Sequence, residues 1–110
     1  MAQAVQLSVP EPARQIAERL RWALNAEAVF LFGSHARGSN GPGSDLDIAV
    51  IVPDSRESRY RRNVKARGLV SDFHVAKDIV VLTHAEWDAE KSVAGSLANT
   101  VAREGIKLHG

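Results

Sequence analysis

Two apolar runs, Ala28-Val29-Phe30-Leu31-Phe32 and Ile48-Ala49-Val50-Ile51-Val52, bracket a connection rich in glycine and serine that ends in Asp45-Leu46-Asp47. Unbroken apolar runs of this length belong to strands covered on both faces, so the chain must place helices on either side of a sheet. The first strand delivers a Gly33-Ser34 turn, and the second, over 45–52, carries two carboxylates two residues apart. Side chains at i and i+2 of a strand share a face. Like charges held side by side repel unless a cation lies between them. The segment therefore reads as a divalent-cation site beside a phosphate-sized anion pocket.

The flanking sequence supplies the covering helices. Residues 1–9 read as a flexible tail. Pro10-Glu11-Pro12 suits a helix start, because proline fits a first turn and an acid complements the positive end of the helix. Ala13, Ile16, Ala17, Leu20 and Leu24 recur at helical spacing, which predicts a helix to about Asn25. A second helix follows Pro53, capped by Asp54 or Ser55, and runs to about Arg67, with Gly68 just beyond it. A third strand is expected over Phe73–Leu82, strongest at Asp78-Ile79-Val80-Val81-Leu82. Thr83-His84-Ala85-Glu86 is a capping box that opens a further helix, continued over 92–102 with a possible break at Gly95. Residues 106–109 form a short ending. The order helix, strand, strand, helix, strand, helix predicts an α/β (α+β) fold, one small mixed sheet with helices packed on it. Residues 10–110 are expected to form a single domain.

A chain of 110 residues has room for one modest core. No second substrate-binding domain fits, so an acceptor is expected to come from outside. The chain has no cysteine, which excludes disulfides, thiolate nucleophiles and thiolate metal sites. No run approaches the roughly 18 apolar residues of a membrane span, and the N-terminus lacks the pattern of a signal peptide. The cytoplasm is the expected location. The net charge of +1 is unevenly divided: segment 55–67 holds Arg56, Arg59, Arg61, Arg62, Lys65 and Arg67 against Glu57 alone. This basic helix is read either as a solvated face with Tyr60 and Val64 toward the core, or as a binding surface. Sparse aromatics and the low net charge argue against direct nucleic-acid binding.

Asp45 and Asp47 suit magnesium, which prefers hard oxygen ligands shared with substrate phosphates. Paired metal carboxylates stabilise the attacking and leaving oxygens of an in-line displacement at phosphorus. A third carboxylate is wanted. Asp78, opening the next apolar strand, is the first choice, and Asp72, in a turn-like context, the second. Gly33 and Ser34 supply the anion side, the glycine by allowing close backbone approach. Arg37 is placed to pair with a triphosphate, and Ser44 to contact the same ligands. A P-loop is excluded because Ser39 stands where its lysine must be, and the glycines at 38, 41 and 43 do not fit a dinucleotide fingerprint. His35 reads as a bystander, and His74, His84 and His109 lack metal-ligand spacing. Trp22 and Trp87 are read as core residues. Ser34 lacks the context of an activated nucleophile.

Gly33-Ser34, ten residues and Asp45-Leu46-Asp47, within the longer pattern Gly33-Ser34-x-Ala36-Arg37-Gly38 and Ser44-Asp45-x-Asp47, resemble the minimal nucleotidyltransferases (MNT) of the DNA polymerase β-like superfamily. The likeness spans most of the chain, including the Asp78 strand and Glu104-Gly105-Ile106. It implies the polymerase β-like nucleotidyltransferase fold and transfer of AMP from ATP with magnesium. Gly33 and Ser34 would hold the triphosphate, and Asp45, Asp47 and Asp78 would bind metal. Stand-alone MNT proteins pair with small helical HEPN proteins. In toxin–antitoxin pairs the HEPN protein is an RNase toxin, neutralised by AMP added to a tyrosine. The resemblance thus implies an antitoxin with a HEPN toxin as partner. The alternatives are an antitoxin that blocks its partner sterically and a small-molecule nucleotidyltransferase.

Overall fold

The computed structural model describes residues 9–41 and 43–110, so the expected tail lies outside the described residues except for Val9. Helix α1 (Glu11–Leu24) leads into β1 (Ala28–Phe32), the short helix α2 (Ser34–Arg37) and β2 (Leu46–Val52). Helix α3 (Arg59–Leu69), β3 (Lys77–Thr83), α4 (His84–Glu90), α5 (Leu97–Glu104) and β4 (Ile106–His109) complete the order. The four strands form one mixed sheet in the order β3-β2-β1-β4. β1 is antiparallel to both β2 and β4, and β2 is parallel to β3.

Strand alternation sorts the core onto two faces. Val29, Leu31, Ile48, Val50, Ile79 and Val81 pack against Ile16, Leu20 and Ala66 of α1 and α3. The other face sets Phe32 and Ala49 against Val101, and Ile51 and Leu82 against Ala98. Trp87 of α4 stacks on Phe30 there, with ring centroids 5.4 Å apart. Helices on both faces explain why β1 and β2 lack polar alternation. Among the described residues, no helix is long and apolar enough to cross a membrane.

Several elements depart from the sequence-based expectation. β3 begins at Lys77, because 70–76 form a turn in which Phe73 N–H donates to the Val70 carbonyl at 3.1 Å. α3 is capped by Ser58, whose hydroxyl accepts from Arg61 N–H, and Gly68 lies inside it. The break expected at Gly95 is present, with φ +86°, a left-handed conformation that favours glycine, but it is wider than one residue and separates α4 from α5 over 91–96. Residues 106–109 are a fourth strand: segments that short carry no periodicity of their own, and pairing with β1 defines this one. Trp22 is 70% exposed and opposite the buried stripe of α1, its indole N–H donating to Glu18 at 2.7 Å, so it is no core residue. Tyr60 and Val64 also face solvent, because Arg62 and Ala66 are the residues α3 buries.

The free edge of β3 is closed by side chains of α3. Asn63 Oδ1 accepts from Val81 N–H at 2.8 Å, and Arg62 Nη1 donates to the Val81 carbonyl at 3.2 Å. Arg62 is buried and grips Glu86 with two bonds of 2.8 Å. Glu86 is at once the return arm of the capping box, accepting from Thr83 N–H at 2.9 Å. One carboxylate thus joins α3, β3 and α4. The Arg62 guanidinium, followed by the Thr83 amide and Arg59, holds the Glu86 carboxyl at about 2. A depressed acid stabilises the fold above its ordinary 4.5, and that contribution disappears as pH falls through about 2. Glu86→Gln is expected to cost about 2–3 kcal/mol at pH 7 by leaving Arg62 unpaired. It should also flatten the loss of stability between pH 4.5 and about 2, as read by denaturant unfolding at a series of pH values.

Candidate active site

The register of the sheet assembles the carboxylates. Asp47 on β2 lies directly opposite Asp78 on β3 and Phe32 on β1, so the three share one row. By alternation that row faces α5, since Phe32 packs there. Asp45 stands just before β2, whose first residue is Leu46, rather than on the strand. Asp47 is half-buried, whereas Asp45 and Asp78 are exposed. Burial first, then the charges of Asp78 and Asp45, push Asp47 above the ordinary aspartate range, against a smaller pull from His35 and Arg37.

Gly33 continues the chain from Phe32, at the end of that row. Its φ of +75° turns the chain into α2. A Cβ at this position would stand 2.2 Å from Asp47 Oδ2, so absence of a side chain lets loop and carboxylate meet. The Gly33 carbonyl accepts from Ala36 and Arg37 N–H at 3.1 Å each. Ser34 and His35 therefore supply the leading amides that a helix does not use internally.

The remaining sequence candidates take less direct places. Ser44 Oγ accepts from Gly41 N–H at 2.9 Å, and its carbonyl meets His35 Nε2 at 3.3 Å. Ser44 and His35 thus pin the glycine-rich turn to α2, beside a cleft of about 310 Å³ that both residues line. His35, read as a bystander, is a brace for the loop; its spacing from Ser44 carried no signal of this. Arg37 pairs with Glu104 of α5 at 3.3 Å. Asp72 is held by Arg19 of α1 and stands apart from the carboxylate row, which leaves Asp78 as the third member of the group. Asp78 in turn meets Arg67 of α3 at 3.4 Å, a contact the sequence did not signal.

The donor set is all-oxygen and carries three negative charges that repel one another, the chemistry a hard divalent cation neutralises. With the side chains as placed, no group of three among the described residues forms a ready-made metal site. The chemistry of Asp45, Asp47 and Asp78 suits such a cation, with Asp47 and Asp78 adjacent across the parallel pair and Asp45 two residues before Asp47.

The nucleotidyltransferase domain family matches residues 13–107. Comparison with curated proteins gives no significant match. A Sulfolobus solfataricus protein assigned as a nucleotidyltransferase is 25% identical, over 88% of this chain and 76% of its own, with a TM-score of 0.60. A toxin–antitoxin complex with AMP-PNP contains a chain 23% identical, with coverage of 92% and 74% and a TM-score of 0.58. A complex of a tri-AMPylated HEPN toxin of Shewanella oneidensis with MNT antitoxin contains a chain 22% identical, with coverage of 90% and 70% and a TM-score of 0.52. The last two likenesses lie below 25% identity and establish a shared fold.

Two expectations follow from the site. Since burial, and then repulsion from Asp78 and Asp45, raise the Asp47 pKa, its charge costs stability at neutral pH, and protonation on acidification recovers it. Asp47→Asn is expected to raise the melting temperature at pH 7, with the gain fading as pH falls. Magnesium should raise the melting temperature of the unaltered protein but not of the variant. Gly33→Ala is expected to cost about 1–3 kcal/mol through its backbone conformation alone. The added Cβ also turns the Asp47 carboxylate aside, so combining it with Asp47→Ala should relieve only the clash in thermal unfolding.

Proposed function

The chain belongs to the nucleotidyltransferase domain family, and on that premise we propose that it transfers AMP from ATP to a tyrosine hydroxyl of a HEPN toxin and so acts as its antitoxin. The observation that carries this reading is the row formed by Asp47 and Asp78, with Asp45 adjacent and Gly33-Ser34 at its end. Residues 10–110 are taken as one catalytic domain working in the cytoplasm. The neighbours that hold AMP-PNP, or a HEPN toxin carrying AMP, support both the donor and the class of acceptor.

Gly33 and the leading amides of α2 would hold the triphosphate, with Arg37 released from Glu104 to pair with it. Asp45, Asp47 and Asp78 would hold magnesium, which when bound neutralises charge on the phosphates and lowers the barrier to displacement. The acceptor oxygen forms a bond to the α-phosphorus while the bond to the bridging oxygen breaks. Pyrophosphate departs on the side of Gly33 and Ser34. Asp78, exposed to solvent, stands where an acceptor can reach it and takes the hydroxyl proton.

Purified protein with ATP, magnesium and its HEPN partner is expected to add AMP to a tyrosine of that partner, as read by mass spectrometry. Asp45→Asn with Asp47→Asn should reduce the rate by on the order of a thousandfold, since several kcal/mol of charge stabilisation is lost. An equal mass gain with the doubly substituted protein would remove the enzymatic reading. Toxin inhibition without any mass gain would favour steric blockade instead.

A further inference from the structure

Helix α3 buries Arg62 and Ala66 and turns Tyr60, Arg61, Val64 and Lys65 outward. Tyr60 is 77% exposed and Val64 47%, an apolar ridge at i and i+4 on an otherwise charged helix face. Arg56 and Arg61 make no ion pair among the described residues, and Lys65 has only a loose one, 3.9 Å from Glu57. Arg59, Arg62 and Arg67 are satisfied by acids of the sheet and α4. The basic charge of this helix is therefore divided: one set fastens it to the fold, and the other stands free around the ridge.

The ridge also points somewhere. Tyr60, Val64 and Arg67 follow at i, i+4 and i+7, one side of a helix, spanning about 10 Å along its axis. Arg67, at the far end, touches Asp78 at 3.4 Å. A molecule lying along the stripe would be led by Arg67 to Asp78 on the edge strand β3.

We propose that this face of α3 is the docking surface for the acceptor protein, which meets it with a carboxylate-bearing, partly apolar surface and so brings its hydroxyl to Asp78. The inference rests on the reading that the acceptor is a protein. Charge complementarity selects an acidic partner, and the Tyr60–Val64 ridge supplies the amphipathic anchor usual at interfaces. Two unpaired cations, a loosely paired third, a single aromatic and Glu57 within the face suit a protein better than RNA, whose binding needs a longer basic track with stacking platforms.

Two measurements test it. Amide chemical shifts of the whole chain are mapped with a Glu-rich amphipathic helical peptide, a Lys-rich peptide of equal length and a single-stranded RNA. Shifts confined to about residues 56–68 with the acidic peptide alone are expected. No shift on that face, or stronger ones with RNA, overturns the proposal. With the HEPN protein as acceptor, Tyr60→Ala and the pair Arg61→Glu/Lys65→Glu are expected to raise the acceptor KM by on the order of tenfold. kcat and the KM for ATP should stay within about twofold, since these side chains lie outside the carboxylate row. An unchanged acceptor KM overturns the docking surface. If the unaltered protein transfers no AMP to the HEPN protein, the functional reading fails, and the peptide mapping alone decides the surface. All the substituted side chains are exposed, and circular dichroism verifies that each variant is folded.

Discussion

The parallel pairing of β2 with β3 is the constraint on which the rest depends. It sets Asp47 opposite Asp78 and so brings two carboxylates side by side. A slip of one residue would send Asp78 to the opposite face and scatter the group. Two things prevent it. The apolar sets Ile48, Val50, Ile79 and Val81 must all face α1 and α3, and the Asn63 and Arg62 contacts with Val81 fix β3 against the neighbouring helix. The buried Arg62–Glu86 pair belongs to this clamp. It costs desolvation, and what it secures is position.

The geometry couples stability to chemistry with opposite signs. Far from the row, acids such as Glu86 are satisfied by arginines and hold the fold together. At the row, burial and like charge act against folding and leave Asp47 ready for a cation. Arg37–Glu104 and Arg67–Asp78 temper the imbalance from two flanking helices, each with both side chains at least partly in solvent. Such surface pairs are worth at most about 1 kcal/mol, so incoming ligands can displace them readily.

Much of this was legible in the residues. The glycine-serine turn, the aspartates on one side of it and the apolar strands on both sides follow from local pattern, as does the Thr83–Glu86 capping box. What was hidden depended on partners distant in sequence. One of the two readings of the basic helix put Tyr60 and Val64 in the core, and periodicity does not say which side of a helix is buried. Arg62 decided that, through a carboxylate 24 residues away. The fourth strand escaped because four residues are defined by their neighbour, β1. Asp78 could be preferred over Asp72 from its strand context, but only the register set it beside Asp47, and only Arg19 explains where Asp72 went.

The missing side chain at Gly33 carries a consequence for ancestry. The space a Cβ would need is filled by the Asp47 carboxylate, 14 positions on, so Gly33 cannot change while that carboxylate stays. A lineage that abandons the chemistry can drop the aspartate at once, whereas a lineage that keeps the aspartate must keep the glycine. Even after the carboxylate is gone, the φ of +75° ties the position to glycine, so the turn outlasts the chemistry it served.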